Sequence, residues 1–265
     1  MTIAIFGAGV MGETLLSGLI RSGRAPGDLV ITERRADRAA ELEAKYGISV
    51  VDNAAAAESA DVLVLVVKPQ DMRSLLAEIA PAIAVGNVVI SLAAGITTEV
   101  LEGGLPAGTS VVRVMPNTPA LVDQGMAALS RGAHCTDEHM AIASDLLASC
   151  GKVIEVPESY QDAVTAISGS GPAYVFYVVE AMIEAGVVLG LPRATATELT
   201  VQTLYGAATM IRQTGTHPTV LREQVTSPGG TTAAALRILD DHRVRAAFVS
   251  AVEAAAERSG ELSRS

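Results

Sequence analysis

Thr2-Ile3-Ala4-Ile5-Phe6-Gly7-Ala8-Gly9-Val10-Met11-Gly12 decides the fold class. Residues 2–6 are a short apolar run, and the next six spell G-x-G-x-x-G. From residue 13 to residue 20 the apolar side chains Leu15, Leu16, Leu19 and Ile20 recur at helical spacing. Strand, glycine fingerprint and helix, in that order, are the context in which a protein holds a dinucleotide pyrophosphate. Gly7 suits the tight turn, Gly9 lets the backbone meet the phosphates, and Gly12 lets helix and strand pack closely.

The pattern continues outward from there. Leu29-Val30-Ile31-Thr32 reads as a second strand ending in Glu33-Arg34-Arg35, with a helix predicted over residues 36–46. Glu33 lies 21 residues after Gly12, where an acid takes the ribose hydroxyls of NAD. Arg34 and Arg35 can instead clamp the extra phosphate of NADP. Residues 61–67, 88–92 and 110–114 are aliphatic, β-branched runs of the kind buried on both faces of a parallel sheet. They end in Lys68-Pro69-Gln70, Ala93-Ala94-Gly95 and Met115-Pro116-Asn117-Thr118-Pro119. Ligands of open α/β sheets bind at such strand ends, which brings Lys68, Pro116 and Asn117 into the candidate cofactor site. Residues 126–130, a helix over 137–149 and residues 152–156 close this half.

After Pro157 no strand pattern is found. Helices are predicted over 160–167 and 173–189, separated by the break Ser168-Gly169-Ser170-Gly171-Pro172, then from Pro192 to about Thr214, from Pro218, from Gly229 and from Arg243. The expected architecture is an α/β, Rossmann-type parallel-sheet domain over residues 1–156, followed by an all-helical domain over residues 157–265. Within the second half, Val225-Thr226-Ser227-Pro228-Gly229-Gly230-Thr231-Thr232-Ala233 is suited to a small anion. Pro228 is expected at a first helical position, Gly229 and Gly230 leave backbone amides open, and Ser227, Thr231 and Thr232 surround them with hydroxyls.

Composition narrows the function classes. The chain has 265 residues, 49% of them hydrophobic, enough for one large core or two smaller ones. A net charge of −10 argues against a nucleic-acid partner. The longest wholly apolar run, residues 173–179, is too short to span a bilayer, and no basic, apolar leader opens the chain, so no membrane is expected. Cys135 and Cys150 make no disulfide framework, and reduced thiols point to a cytoplasmic protein. His134 and His139 have half a zinc spacing without a C-x-x-C pair, so no metal is expected.

Taken together, the motifs at residues 7–12, 67–69, 93–95 and 115–119, with Asp162-Ala163-Val164-Thr165, Ser168-Gly169-Ser170-Gly171-Pro172-Ala173-Tyr174 and the tract at 225–236, resemble the pyrroline-5-carboxylate reductase family over essentially the whole chain. The resemblance implies NADPH-dependent reduction of 1-pyrroline-5-carboxylate to L-proline, with NADH as an alternative donor. It implies a helical domain that dimerises, with dimers that often assemble into decamers. It also implies that Phe6, Gly7, Ala8, Gly9, Val10, Met11, Asn53, Val66, Val67, Lys68, Pro69, Ala93, Ala94 and Gly95 line the cofactor. Ser227, Gly229, Gly230, Thr231 and Thr232 would hold the substrate, Thr232 as the catalytic hydroxyl, with Glu158 nearby. Glu33-Arg34 stands where that family often has Ser or Asn. Two rival readings are a 3-hydroxyacid dehydrogenase, opposed by the lack of any lysine after Lys152, and a non-catalytic NADP-sensing protein.

Overall fold

A computed structural model describes residues 1–264. The chain divides into two compact units, Met1–Ser170 together with the chain from Ala255 on, and Gly171–Ala254. The sequence boundary after residue 156 therefore falls inside the first unit. Residues 157–170 stay with the sheet because Gln161 Nε2 donates to the Ala128 carbonyl and to Ser130 Oγ, and Asn117 Nδ2 donates to the Ser168 carbonyl.

In chain order the first unit holds β1 (Ile3–Phe6), α1 (Val10–Arg21), β2 (Leu29–Thr32), α2 (Ala36–Tyr46), β3 (Ser49–Val50), α3 (Asn53–Ser59), β4 (Val62–Leu65), α4 (Pro69–Ile79), β5 (Val88–Ser91), α5 (Thr98–Gly103), β6 (Ser110–Met115), β7 (Gly125–Arg131), α6 (Asp137–Ala148), β8 (Gly151–Glu155) and α7 (Gln161–Val164). The strands lie in the order β3-β2-β1-β4-β5-β6-β7-β8. Strands β1 to β6 are parallel, and Phe6 pairs with Thr32 on one side and Leu65 on the other. The carboxyl ends of β1, β2 and β4 are thus level. β7 is antiparallel to β6, the one antiparallel pairing among the described residues in an otherwise parallel sheet. The cause is the linker: residues 116–124 hold only a 3₁₀ turn at Thr118–Val122, too short for a crossover helix.

Alternation along each strand builds two cores. Ile3 and Ile5 point with Val62, Val64, Val88 and Ile90 towards α1 and α6. Ala4 and Phe6 point the other way, with Leu63, Leu65 and Val89, towards α3, α4 and α5. The continuous apolar runs of the sequence are this two-faced burial.

The second unit is helical, with α8 (Gly171–Val188), α9 (Arg193–Thr214), α10 (Pro218–Gln224), α11 (Thr231–Asp241) and the start of α12 (Val244–Arg264), whose residues from Ala255 count with the first unit. Two local expectations change. The break at 168–172 is preceded by a π-helical turn over Thr165–Gly169, in which the Ser170 amide donates to the Thr165 carbonyl at 2.8 Å. Pro228 does not start a helix. It sits at the second position of a turn closed by the Gly230 amide on the Ser227 carbonyl at 3.0 Å. Gly229 follows at φ +70°, so Pro-Gly fills the middle of a type II turn and α11 starts at Thr231. The apolar run of residues 173–179 also understated the hydropathy here. Within the helical stretch Glu158–Val188, an 18-residue window reaches a mean hydropathy of 1.3, long and apolar enough by composition alone to cross a membrane.

Candidate active site

The fingerprint residues do what their spacing dictates. A Cβ at Gly12 would lie 2.1 Å from the Gly7 carbonyl oxygen, so only glycine lets α1 close on the end of β1. At Gly9 nothing lies within 4 Å of the position a Cβ would take. Gly9 caps α1 without a side-chain hydrogen bond, and the first amide to find a helical partner is that of Glu13, on the Gly9 carbonyl. The amides of Val10, Met11 and Gly12 are left without helical acceptors at a positive helix end.

Beside that helix start, Gly7, Ala8 and Gly9 line a cleft of about 600 Å³ at the level carboxyl ends of β1, β2 and β4. Its walls bring together nine of the expected residues: Gly7, Ala8, Gly9, Glu33, Arg34, Asn53, Val66, Val67 and Lys68. Glu33 accepts the Arg35 amide at 2.9 Å, and its side chain is only 11% exposed. Arg34 is 73% exposed and stands 3.8 Å from Asp71, leaving its guanidinium available to a ligand. Asn53 Nδ2 donates to Glu78 Oε2 at 2.8 Å. The sequence reading missed Asp52, Gln70 and Asp71 in these walls. Gln70 had a signal in the strand end Lys68-Pro69-Gln70, and Asp52 as the N-cap of α3 that accepts the Ala55 amide.

Other expected residues lie elsewhere. Phe6 is fully buried and offers only its carbonyl, which takes the Val66 amide at 2.8 Å. Val10 is exposed. Met11 and Pro116 border a small apolar hole on the α1 side. Asn117 is a brace: besides its bond to Ser168, its Oδ1 accepts the Met126 amide at 2.8 Å. Pro69, Ala94 and Gly95 border a second cavity of about 740 Å³, also within the first unit, and Ala93 is buried.

Glu158 is fully engaged. It accepts from the Thr98 amide at 2.8 Å, from Thr98 Oγ1 and from Arg113 Nη1 at 3.0 Å. Desolvation pushes its pKa up, but the bonds from Thr98 and Arg113 outweigh that and hold it below the usual carboxylate range. Beneath the cleft, Glu13 of α1 is gripped by Lys45, Tyr46 and Arg38 of α2. Lys45 leads in bringing its pKa down to about 2, against desolvation.

In the second unit the turn before α11 is compact. A Cβ at Gly230 would lie 2.4 Å from Ser227 Oγ, so that hydroxyl sits directly over the glycine. The Ala234 amide bonds the Gly230 carbonyl at 3.1 Å, which leaves the amides of Thr231, Thr232 and Ala233 open at the helix start. Ser227, Gly229 and Thr231 are exposed, and Thr232 is half-buried.

Comparison with known proteins agrees with this geometry. Residues 158–262 match the family model described as pyrroline-5-carboxylate reductase dimerisation, and residues 2–95 match one described as NADP oxidoreductase, coenzyme F420-dependent. A pyrroline-5-carboxylate reductase of Corynebacterium melassecola is 48% identical over 99% of both chains. The structure of a pyrroline-5-carboxylate reductase from Coxiella burnetii superposes with a TM-score of 0.94 at 38% identity, covering 98% of each chain. The Plasmodium falciparum pyrroline carboxylate reductase, solved with NADP bound, gives 0.89 at 30% identity over 99% of this chain and 98% of that one.

Proposed function

The chain belongs to the pyrroline-5-carboxylate reductase family, and we propose that its β1–β2–β4 cleft and its turn at residues 227–232 are the cofactor and substrate halves of that reaction. The protein is an NAD(P)H-dependent oxidoreductase that reduces 1-pyrroline-5-carboxylate to L-proline, a step of proline biosynthesis. One observation carries the placement of the cofactor: Gly7, Ala8 and Gly9 line the cleft, and the space beside Gly9 is empty of protein atoms. A pyrophosphate fits there as long as no side chain fills the space. With its pyrophosphate held there, the bound cofactor would supply a hydride from its reduced nicotinamide to the C=N carbon.

The chain's own residues position and polarise. Glu33 and Arg34 face the ribose end. The exposed Arg34 favours the extra phosphate of NADPH, while Glu33 leaves NADH usable. The amides of Thr231, Thr232 and Ala233, with Ser227 Oγ, hold the substrate carboxylate at the start of α11. The ring nitrogen is protonated in the reactive imine, and its N–H donates to Thr232 Oγ1, which fixes the electrophilic carbon for attack. No strong acid or base is needed, because the proton arrives with the substrate. Glu158, occupied by Thr98 and Arg113, steadies the start of α5 rather than touching the substrate.

The chain also self-associates, as the dimerisation match over residues 158–262 states for its family. We read the exposed apolar side chains of α8, such as Phe176 at 65% and Tyr177 at 75%, as buried in a dimer, which assembles further into decamers in the cytoplasm.

Steady-state kinetics on two variants test the substrate half. Thr232→Ala removes a hydrogen bond to a charged group, worth roughly 1.5–3 kcal/mol, so kcat/KM for the imine should fall about ten- to hundredfold. The NADPH dissociation constant should hold, and Thr232→Ser should recover much of the rate. Wild-type kcat/KM in the alanine variant would end this assignment of Thr232.

A further inference from the structure

The cleft over β1, β2 and β4, read as the seat of the pyrophosphate and the adenosine ribose, accounts for one half of a dinucleotide. Its ends are fixed by Gly7–Gly9 at the pyrophosphate and by Glu33 and Arg34 at the adenosine ribose, both on the β1–β2 side of the switch point between β1 and β4. The other nucleotide must then leave the pyrophosphate in the opposite direction, across β4 towards β5. The strand ends there are Lys68-Pro69 and Ala93-Ala94-Gly95. They meet the second cavity, of about 740 Å³, and Gln70 lines both spaces. The far wall of that cavity is the end of α12. Ala255, Arg258, Ser259, Leu262 and Ser263 line it, which is the i, i+3, i+4, i+7, i+8 set of one helix face.

That face is held firmly. Ser259 is 8% exposed and its Oγ donates to Asp162 Oδ1 at 2.7 Å. Ser263 Oγ donates back to the Ser259 carbonyl at 3.1 Å. Across the cavity mouth, the Leu262 carbonyl lies 3.6 Å from the point where a Cβ on Gly95 would stand, an ordinary van der Waals separation. The helix end therefore rests on the turn after β5. The π-helical turn contributes Thr165 to the same wall, and the Ser259–Asp162 bond ties α12 to the short helix from which that turn continues.

We propose that the end of α12 is the wall that seats the nicotinamide half of the cofactor, with the Ser259–Asp162 hydrogen bond as its tether. Ser259 is thus a positioning residue: it touches neither ring nor substrate, and it sets where Leu262 and its neighbours stand. This rests on the reading that Gly7–Gly9 take the pyrophosphate.

Calorimetric titration of two ligands tests it, one being NADPH and the other 2′-phospho-ADP-ribose, which carries the adenosine half and lacks nicotinamide. In Ser259→Ala the dissociation constant of NADPH should rise about five- to tenfold, the worth of one partly buried hydrogen bond, while that of the fragment stays within about twofold. Leu262→Ala, which leaves the tether in place, should show the same split, and Ser259→Thr should restore NADPH affinity. Equal weakening of both ligands, or unchanged NADPH affinity in both alanine variants, would overturn the proposal. Wild-type protein that binds neither ligand would instead overturn the cleft reading beneath it.

Discussion

Gly9 and Gly12 stand three residues apart in one fingerprint and do opposite things. A side chain at Gly12 collides with the Gly7 carbonyl, whereas one at Gly9 meets nothing in the protein. Gly12→Val should therefore disturb the packing of α1 on β1 and lower the thermal midpoint. Gly9→Val should fold normally and lose NADPH binding, because the valine fills ligand space. Fluorescence titration of NADPH checks this, and unchanged affinity in Gly9→Val would move the pyrophosphate elsewhere. Both roles were legible in the sequence, since backbone approach is what G-x-G-x-x-G encodes. Pro228-Gly229 is legible too, but by its residues alone it also suits a helix start. Proline followed by glycine is also the pair for a type II turn, and the φ of +70° at Gly229 decides between them. Phe6, Pro116 and Asn117 were placed at the cofactor by motif alone. In the structure they act through a carbonyl, an apolar contact and a brace, roles that side-chain identity does not announce.

Between elements, α1 and α2 are clamped by Glu13, with Lys45, Tyr46 and Arg38 on one carboxylate. The folded pKa of about 2 lies below the unfolded one, so the clamp stabilises above the ordinary carboxylate range near 4. That contribution is lost as pH falls from there towards 2. Glu13→Gln should cost about 1 kcal/mol at neutral pH, given how much of the cluster meets solvent. Urea midpoints of variant and wild type should converge near pH 2, and a gap that stays constant with pH would refute the clamp. The strand and helix succession of the first unit was readable because burial on two faces leaves continuous apolar runs. The reversal of β7 was not, since direction follows from the length of the linker at 116–124 and not from the strand's own residues. Least visible was the end of α12. Ala255, Arg258, Ser259, Leu262 and Ser263 form no apolar stripe, and their common face emerges only when the helix meets the sheet unit.

For the whole molecule, the sequence showed two kinds of structure, alternating strands and helices first and helices after them. It did not show that the last residues rejoin the first unit, because return of a chain end is a tertiary event with no local pattern. The exposed apolar side chains of the second unit, inside the range that matches the dimerisation model, are the surface we propose for self-association. The reaction is the passage of a hydride from a nicotinamide to the C=N carbon of 1-pyrroline-5-carboxylate. The most direct measurement uses NADPH dideuterated at nicotinamide C4, turned over with 1-pyrroline-5-carboxylate, and mass spectrometry of the proline formed. One deuterium at Cδ of L-proline is expected in wild type, with the yield falling in Thr232→Ala and vanishing in Gly9→Val. Proline formed without the label, or no proline at all, would contradict it.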